Sequence, residues 1–362
     1  MSDLTRKDIL KHYFSSVLVY GLILLFAVFC PLYSGVLEKS SLNYAVVLGI
    51  YYALYIIFAL PVFFIFKPDS VKESRNVAIV GYIARQFKKY SPMEKLANFE
   101  MSDFEKQSFV ITFIKAFFGV YCVNLLCTKF IPSLDYDISF LGAMLNEAVS
   151  YAHAQGFVAG IAQFIDDSSD MLISLSFFIT TLMFAISYLT EAKFLRNKIQ
   201  YADVTPLGII SCIACYYPFT ILVGKFLPLY TEELIPTPDV KIRVILHILL
   251  VIACFTSMIA ILRLGTKSGN LTNRGIVTGF PYNIVRHPDY GAQMLTIILL
   301  FIPVYTINTI SISSKILFTC GTLIWLSIYY LRALTEERNL VKDEKYAEYM
   351  GKVKKRFIPW IF

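Results

Sequence analysis

The chain has 362 residues, 57% of them hydrophobic and only 16% charged, against about a quarter charged in an ordinary soluble domain. That excludes a soluble globular protein, and with 30 Phe and 24 Tyr the chain is too apolar for disorder and too long for a single anchor. Its net charge of +7, from 33 Lys+Arg against 26 Asp+Glu, is read as a topology signal before it is read as a partner signal, and no nucleic-acid partner is expected.

Runs long enough to cross a hydrocarbon core, which takes about 20 helical residues, occur in chain order near 14–36, 43–66, 108–131, 171–189, 207–229, 244–262, 292–310 and 316–333. The expected fold is therefore all-α: a polytopic helical membrane protein with about eight transmembrane helices. Segments 1–13, 67–107, 190–206, 263–291 and 332–362 together hold 26 of the 33 basic residues, whereas 134–170 holds none. The positive-inside rule then predicts both termini in the cytoplasm. MSDLTRKDILKHYFSS runs into a full-length apolar stretch with no small-residue cleavage site, so the first helix is expected to be retained.

Four further features need a reading. The 67–107 segment interleaves basic residues with Tyr82, Ile83, Phe87 and Tyr90, the pattern of a surface helix on anionic lipid. Lys115, inside the third span, is expected to snorkel, then in order of preference to pair with a carboxylate or to touch substrate. Residues 138–165 are apolar enough to suggest a ninth span. Crossing there would carry Asn146, Glu147, Ser150, His153 and Gln155 into lipid, and an outer amphipathic helix or helical hairpin fits better. The 7 Cys mostly sit in apolar runs, and Cys212-x-x-Cys215 lies in one, so packing is preferred over redox chemistry and no metal site is expected.

Dense polar chemistry begins only after residue 262. The loop before the seventh span reads RLGTKSGNLTNRGIVTGFPYNIVRHPDYGAQM, and the tail after the eighth begins LRALTEERNL. The two spans are joined by a few outer residues, so they should form an antiparallel hairpin that brings the tail back to the loop. Plainer readings exist for each element. His287-Pro288 suits a helix start, and Glu336 and Glu337 suit a solvated helix end paired with Lys342 or Lys345. Asn270-Leu-Thr272 matches a glycosylation acceptor, which on the inner side is inert.

Gly279-x-Pro281-Tyr282-x-x-x-Arg286-His287-Pro288-x-Tyr290, followed by Glu336-Glu337-x-x-Leu340, Tyr346-x-x-Tyr349, Val353, Arg356 and Pro359, resembles the isoprenylcysteine carboxyl methyltransferase and phospholipid methyltransferase superfamily. The resemblance covers about 265–362; Gly291-Ala292 follows the motif tyrosine where the family has a small residue and often Gly at the second place. It implies a division into an N-terminal membrane region, 1–200, and a methyltransferase-like core with a cytoplasmic tail, 201–362. It also implies an enzyme that transfers a methyl group from S-adenosylmethionine to a lipophilic acceptor entering from the bilayer, at an active site on the cytoplasmic side. His287, Tyr290 and Glu337 are expected around the cofactor, with Gly279, Pro281 and Tyr282 shaping its slot. Arg286 and Glu336 are expected to orient the acceptor or to fix the loop. An isoprenylcysteine-like carboxylate is preferred as acceptor. The alternatives are a phospholipid amine, or an NADPH-dependent sterol reductase on the same hairpin, against which the Glu336-Glu337 pair counts.

Overall fold

In the computed structural model, residues 4–29, 43–66, 68–88, 100–192, 195–216, 219–220, 239–307 and 310–359 are described. Each apolar run folds as a helix, because in lipid the backbone amides must be satisfied within the segment. The helices extend past the apolar cores to polar caps. Helix α1 spans Arg6–Phe29, α2 Tyr44–Phe66, α3 Arg75–Lys88 and α4 Asp103–Leu125. Ser102 and Glu105 close a reciprocal capping box at the start of α4, satisfying two of its orphan N–H groups.

From α4 the chain continues through a π-helical turn, Leu126–Phe130, into α5, Ile131–Gln155. Gly156, at φ 98°, a conformation that side chains disfavour, reverses it into α6, Phe157–Leu189. There follow strand β1, Tyr201–Ala202, and α7, Pro206–Ile213. Next come α8, Val240–Leu264, and strand β2, Thr272–Asn273, which pairs antiparallel with β1. The chain ends with α9, Pro288–Phe301, α10, Ile312–Leu340, and α11, Glu344–Lys352.

The fold is all-α apart from the two-residue strands, and the protein is an integral membrane protein. Among the described residues seven helices are long and apolar enough to cross a membrane: Arg6–Phe29, Tyr44–Phe66, Asp103–Asp135, Phe157–Leu189, Val240–Lys267, Pro288–Thr306 and Ile312–Leu340. Of the eighth expected span, 207–229, only α7 and its first residues are described; the rest lies outside the described residues. Asp166 of α6 bonds Arg243 and His247 of α8 at one end, and Ser187 of α6 bonds the Thr266 carbonyl just past α8 at the other. The two neighbours α6 and α8 thus run in the same direction.

The 138–165 stretch forms a helical hairpin, α5 packed on α6 through Gly160, where a Cβ would stand 2.6 Å from the Ala148 carbonyl oxygen. Helix α6 has 33 residues, about 50 Å at 1.5 Å per residue, against a hydrocarbon core of about 30 Å. On the hairpin that its first turns form with α5, Leu145, Val149, Phe157 and Val158 are exposed.

The segments grouped by their basic residues meet at the opposite end. His12 contacts Ser74 at 2.6 Å, Arg75 holds Glu191, Gln107 bonds Ala202, and Tyr201 reaches both Asn273 and Asn339. Lys115 pairs with a carboxylate, its Nζ lying 3.3 Å from Glu191 Oε2. The expectation that it snorkels is corrected: Glu191 follows α6 closely enough to meet it, so the ammonium needs no route to the surface. Residues 199–202 bond to 75, 107 and 273, tying the first two hundred residues to the core at the very position of the expected division.

Candidate active site

Helix α9 begins at Pro288, whose missing N–H is harmless in a first turn, so the preceding residues leave the membrane end as a loop. Two main-chain bonds fasten that loop to the tail: Arg286 N–H to the Lys355 carbonyl at 2.9 Å and His287 N–H to the Arg356 carbonyl at 2.8 Å. Arg286 Nη1 donates to the carbonyls of Val353 and Lys354. Side chains complete the junction. Glu337 Oε1 accepts from Arg286 Nε at 2.7 Å and lies 3.1 Å from His287 Nε2, and Arg356 Nε reaches both carboxylate oxygens at 3.1 and 3.0 Å. Arg286, His287 and Glu337 keep only 9%, 6% and 5% of their accessible surface, so the buried charges of Arg286 and Glu337 are held by their pairing.

Gly279, Pro281 and Tyr282 build the same loop. A Cβ on Gly279 would stand 1.8 Å from Arg263 Nη2, so only glycine lets that guanidinium lie across the backbone. The Phe280–Pro281 bond is cis. Tyr282 packs with Ala260, Tyr346 and Tyr349, and the Tyr349 hydroxyl donates to the Tyr282 carbonyl at 2.6 Å. Burial pushes the phenols of Tyr282, Tyr346 and Tyr349 above their ordinary range, which keeps them neutral.

Glu336 points elsewhere than its neighbour. Its Oε2 accepts from the Tyr290 hydroxyl at 2.7 Å, and both residues line an open cleft. The Tyr290 ring stacks parallel to His287 at 5.4 Å between centroids, and His287 Nδ1 lies 4.0 Å from Glu336, so the buried cluster directly backs the cleft. The structure thus joins the two motifs but divides the expected residues into two sets. Tyr290 and Glu336 face open space, while Arg286, His287 and Glu337 hold loop to tail. Gly279, Pro281 and Tyr282 are not among the cleft-lining residues.

The other walls come from residues that sequence reasoning passed over: Asp203, Gly208, Ser211 and Cys212 around α7, Leu271 and Thr272 at β2, and Arg332, Thr335 and Asn339 on α10. Arg332 stands out among them. It is 6% exposed, its guanidinium lies 4.8 Å from the Tyr290 ring centroid and within 6 Å of Tyr216 and Tyr329, and it donates to Asn270 Oδ1 at 2.9 Å. No carboxylate oxygen among the described residues lies within 4 Å of it. Its close partners are thus aromatic faces and an amide rather than a carboxylate. Asn270, bonded to Arg332 and to the Tyr216 hydroxyl, is 9% exposed and so is not a surface glycosylation position. In the sequence Arg332 reads as one more inner basic residue, and only its position one helical turn before Glu336 hints otherwise.

Among the described residues no group of three or more His, Cys, Asp or Glu is placed to hold a metal ion. No protein-family model, curated protein or solved structure matches the chain.

Proposed function

We propose that the protein is an integral membrane methyltransferase that uses S-adenosylmethionine to methylate a lipophilic acceptor, with a carboxylate as the acceptor group. The observation that carries this reading is the Tyr290–Glu336 hydrogen bond, which brings the two motifs of the resemblance to one cleft beside the unpaired Arg332. The donor set suits such a cofactor. Carboxylate and tyrosine π-faces tolerate a sulfonium, a carboxylate matches the ammonium of an amino-acid end, and the Ser211 and Thr335 hydroxyls and the Asn339 amide serve sugar hydroxyls.

When bound, the cofactor supplies an electrophilic methyl group. The chain's task is then placement, because a displacement of this kind gains most from holding nucleophile and electrophile at near-attack distance. Glu336, fixed by Tyr290, holds positive charge. Arg332 holds negative charge, and a carboxylate acceptor directed by it is already a nucleophile at neutral pH and needs no general base. Arg286, His287, Glu337 and Arg356 keep loop and tail in register. With the basic segments on the cytoplasmic side, the cleft opens to the cytosol.

The test is incubation of membranes containing the protein with methyl-labelled cofactor. Base-labile label in the lipid fraction supports an ester product. Base-stable label would move the assignment to an amine acceptor, and no transfer above that of protein-free membranes would overturn the reading.

A further inference from the structure

Asp203 follows β1, and its backbone N–H donates to the Leu271 carbonyl at 2.7 Å. Its Oδ1 accepts from the Thr205 N–H at 2.9 Å, a local turn that leads into α7, where the Thr205 hydroxyl accepts from the Gly208 N–H. That turn accounts for one carboxylate oxygen and is equally served by asparagine. The other oxygen, Oδ2, is buried and has no hydrogen-bond partner, in a residue only 3% exposed that lines the cleft with Tyr290, Arg332 and Glu336. The nearest cation, Arg338 Nη2, stands 3.6 Å away, beyond hydrogen-bond reach, on a side chain half in solvent, and is turned to the Thr205 hydroxyl.

The fold makes room for this oxygen. A Cβ on Gly208 would stand 2.1 Å from Oδ2, so glycine in the first turn of α7 is what lets the carboxylate lie against the helix. A desolvated carboxylate oxygen without a donor is costly, and orphans of this kind in a native fold call for a specific explanation.

We infer that Asp203 is a ligand-binding carboxylate of the cleft, its Oδ2 accepting a hydrogen bond from a hydroxyl or ammonium group of the cofactor. This rests on the cofactor reading above and extends it to a segment outside both motifs. The charge suits either donor: a ribose hydroxyl, or the ammonium of the amino-acid end.

Calorimetric titration of the full-length protein in detergent tests it, using S-adenosylhomocysteine, its 2′-deoxy analogue and its desamino analogue on the native chain, Asp203→Asn and Gly208→Ala. Asn keeps the turn and removes the charge, while the Ala methyl displaces the carboxylate without altering it. Both variants are expected to bind S-adenosylhomocysteine about tenfold to a hundredfold more weakly, the loss of one charge-assisted hydrogen bond. The analogue that lacks the group bound by Asp203 should bind weakly to the native chain and no more weakly to Asp203→Asn, which names the group. The ligand-free Asp203→Asn protein should melt no lower than the native one, since Oδ2 has no hydrogen bond to lose and its ion-pair partner Arg338 is half in solvent; a purely structural carboxylate gives the opposite sign. Variants that bind as tightly as the native chain, or analogues that lose the same factor on native and Asp203→Asn, overturn the inference while leaving the cofactor reading intact. A native chain that binds no S-adenosylhomocysteine overturns both.

Discussion

Arg286 donates to Glu337 at 2.7 Å across 51 residues of sequence, and each side chain is less than a tenth exposed. With His287 and Arg356 on the same carboxylate, Glu337 is the one anion among three nitrogen-bearing side chains. Glu337→Gln removes that anion and leaves the guanidinium groups buried without compensation, a loss of about 3–5 kcal/mol by comparison with other broken buried pairs. The expected result is a large drop in thermal midpoint in detergent, with cofactor affinity lost only in proportion to unfolding. Selective loss of affinity at an unchanged midpoint would place Glu337 in direct contact with the cofactor.

Glu336, one residue earlier, should behave in the opposite way. Its side chain is 38% exposed, and in Glu336→Gln the amide oxygen still accepts from Tyr290. Stability should stay within about 0.5 kcal/mol of native, while cofactor affinity falls by about tenfold to a hundredfold as a charge-assisted bond becomes a neutral one. Melting curves and titration on the same preparation separate the two carboxylates.

Arg332→Met removes a buried cation that has no carboxylate partner and keeps much of its packing volume. Because desolvation and cation–π attraction, the latter about 0.5–2 kcal/mol, oppose each other, the midpoint should change little. Methyl transfer should fall at least about a hundredfold if a charge-assisted bond of about 3 kcal/mol to the anion is lost. Arg332→Lys should recover only part of the rate, since an ammonium lacks the planar fork that stacks among the tyrosines.

At the junction between the two halves, Glu191 accepts from Arg75 at 2.9 Å, from Lys115 at 3.3 Å and from the Ile199 N–H at 3.1 Å. Burial pushes its carboxyl up, but Lys115 and Arg75 outweigh that and hold it below the usual glutamate range. A folded-state value below the unfolded one, about 4.3, means that ionised Glu191 favours the fold at every pH above the unfolded value. The benefit fades as pH falls through the folded value. The gap in midpoint between native and Glu191→Gln should therefore be constant at neutral pH and shrink in acid. A gap that widens toward low pH would show that the pairing has been misread.

For the membrane orientation, a thiol introduced at residue 150 in the exposed hairpin should react with an impermeant reagent added outside sealed cells, and a C-terminal reporter should be protected. Labelling of both from the same side would invert or break the topology.

The helices and the return of the tail to the loop were legible because both follow from apolar run length and a short outer connection. Lys115 and Glu191 were not: 76 residues separate them, and no local spacing announces a pair formed by helix packing. The cleft was half legible. Tyr290 and Glu336 lie in motifs, but Asp203 sits in a plain turn before a Thr-Pro helix start, Cys212 in an apolar run, and Arg332 among the inner basic residues. What assembles these three is the β1–β2 pairing and the docking of α7 on α10, contacts set by tertiary register. The same register turns the consecutive Glu336 and Glu337 to different tasks, about 100° apart on a helix of 3.6 residues per turn.

The hairpin of α5 and α6 has a consequence for the lipid around it. From 134 to 170 the sequence holds no Lys or Arg but includes Asp135, Asp137, Glu147, Asp166, Asp167 and Asp170. Of these, Asp166 is neutralised from α8. An apolar face with Leu141, Leu145 and Val149 exposed, in a stretch whose sequence charge is negative, is attracted to acyl chains and repelled by anionic headgroups. This end of the molecule is thus selective for a leaflet of zwitterionic lipid, while the basic end favours an anionic one. A bilayer with that asymmetry holds the protein in one orientation by surface charge at both faces.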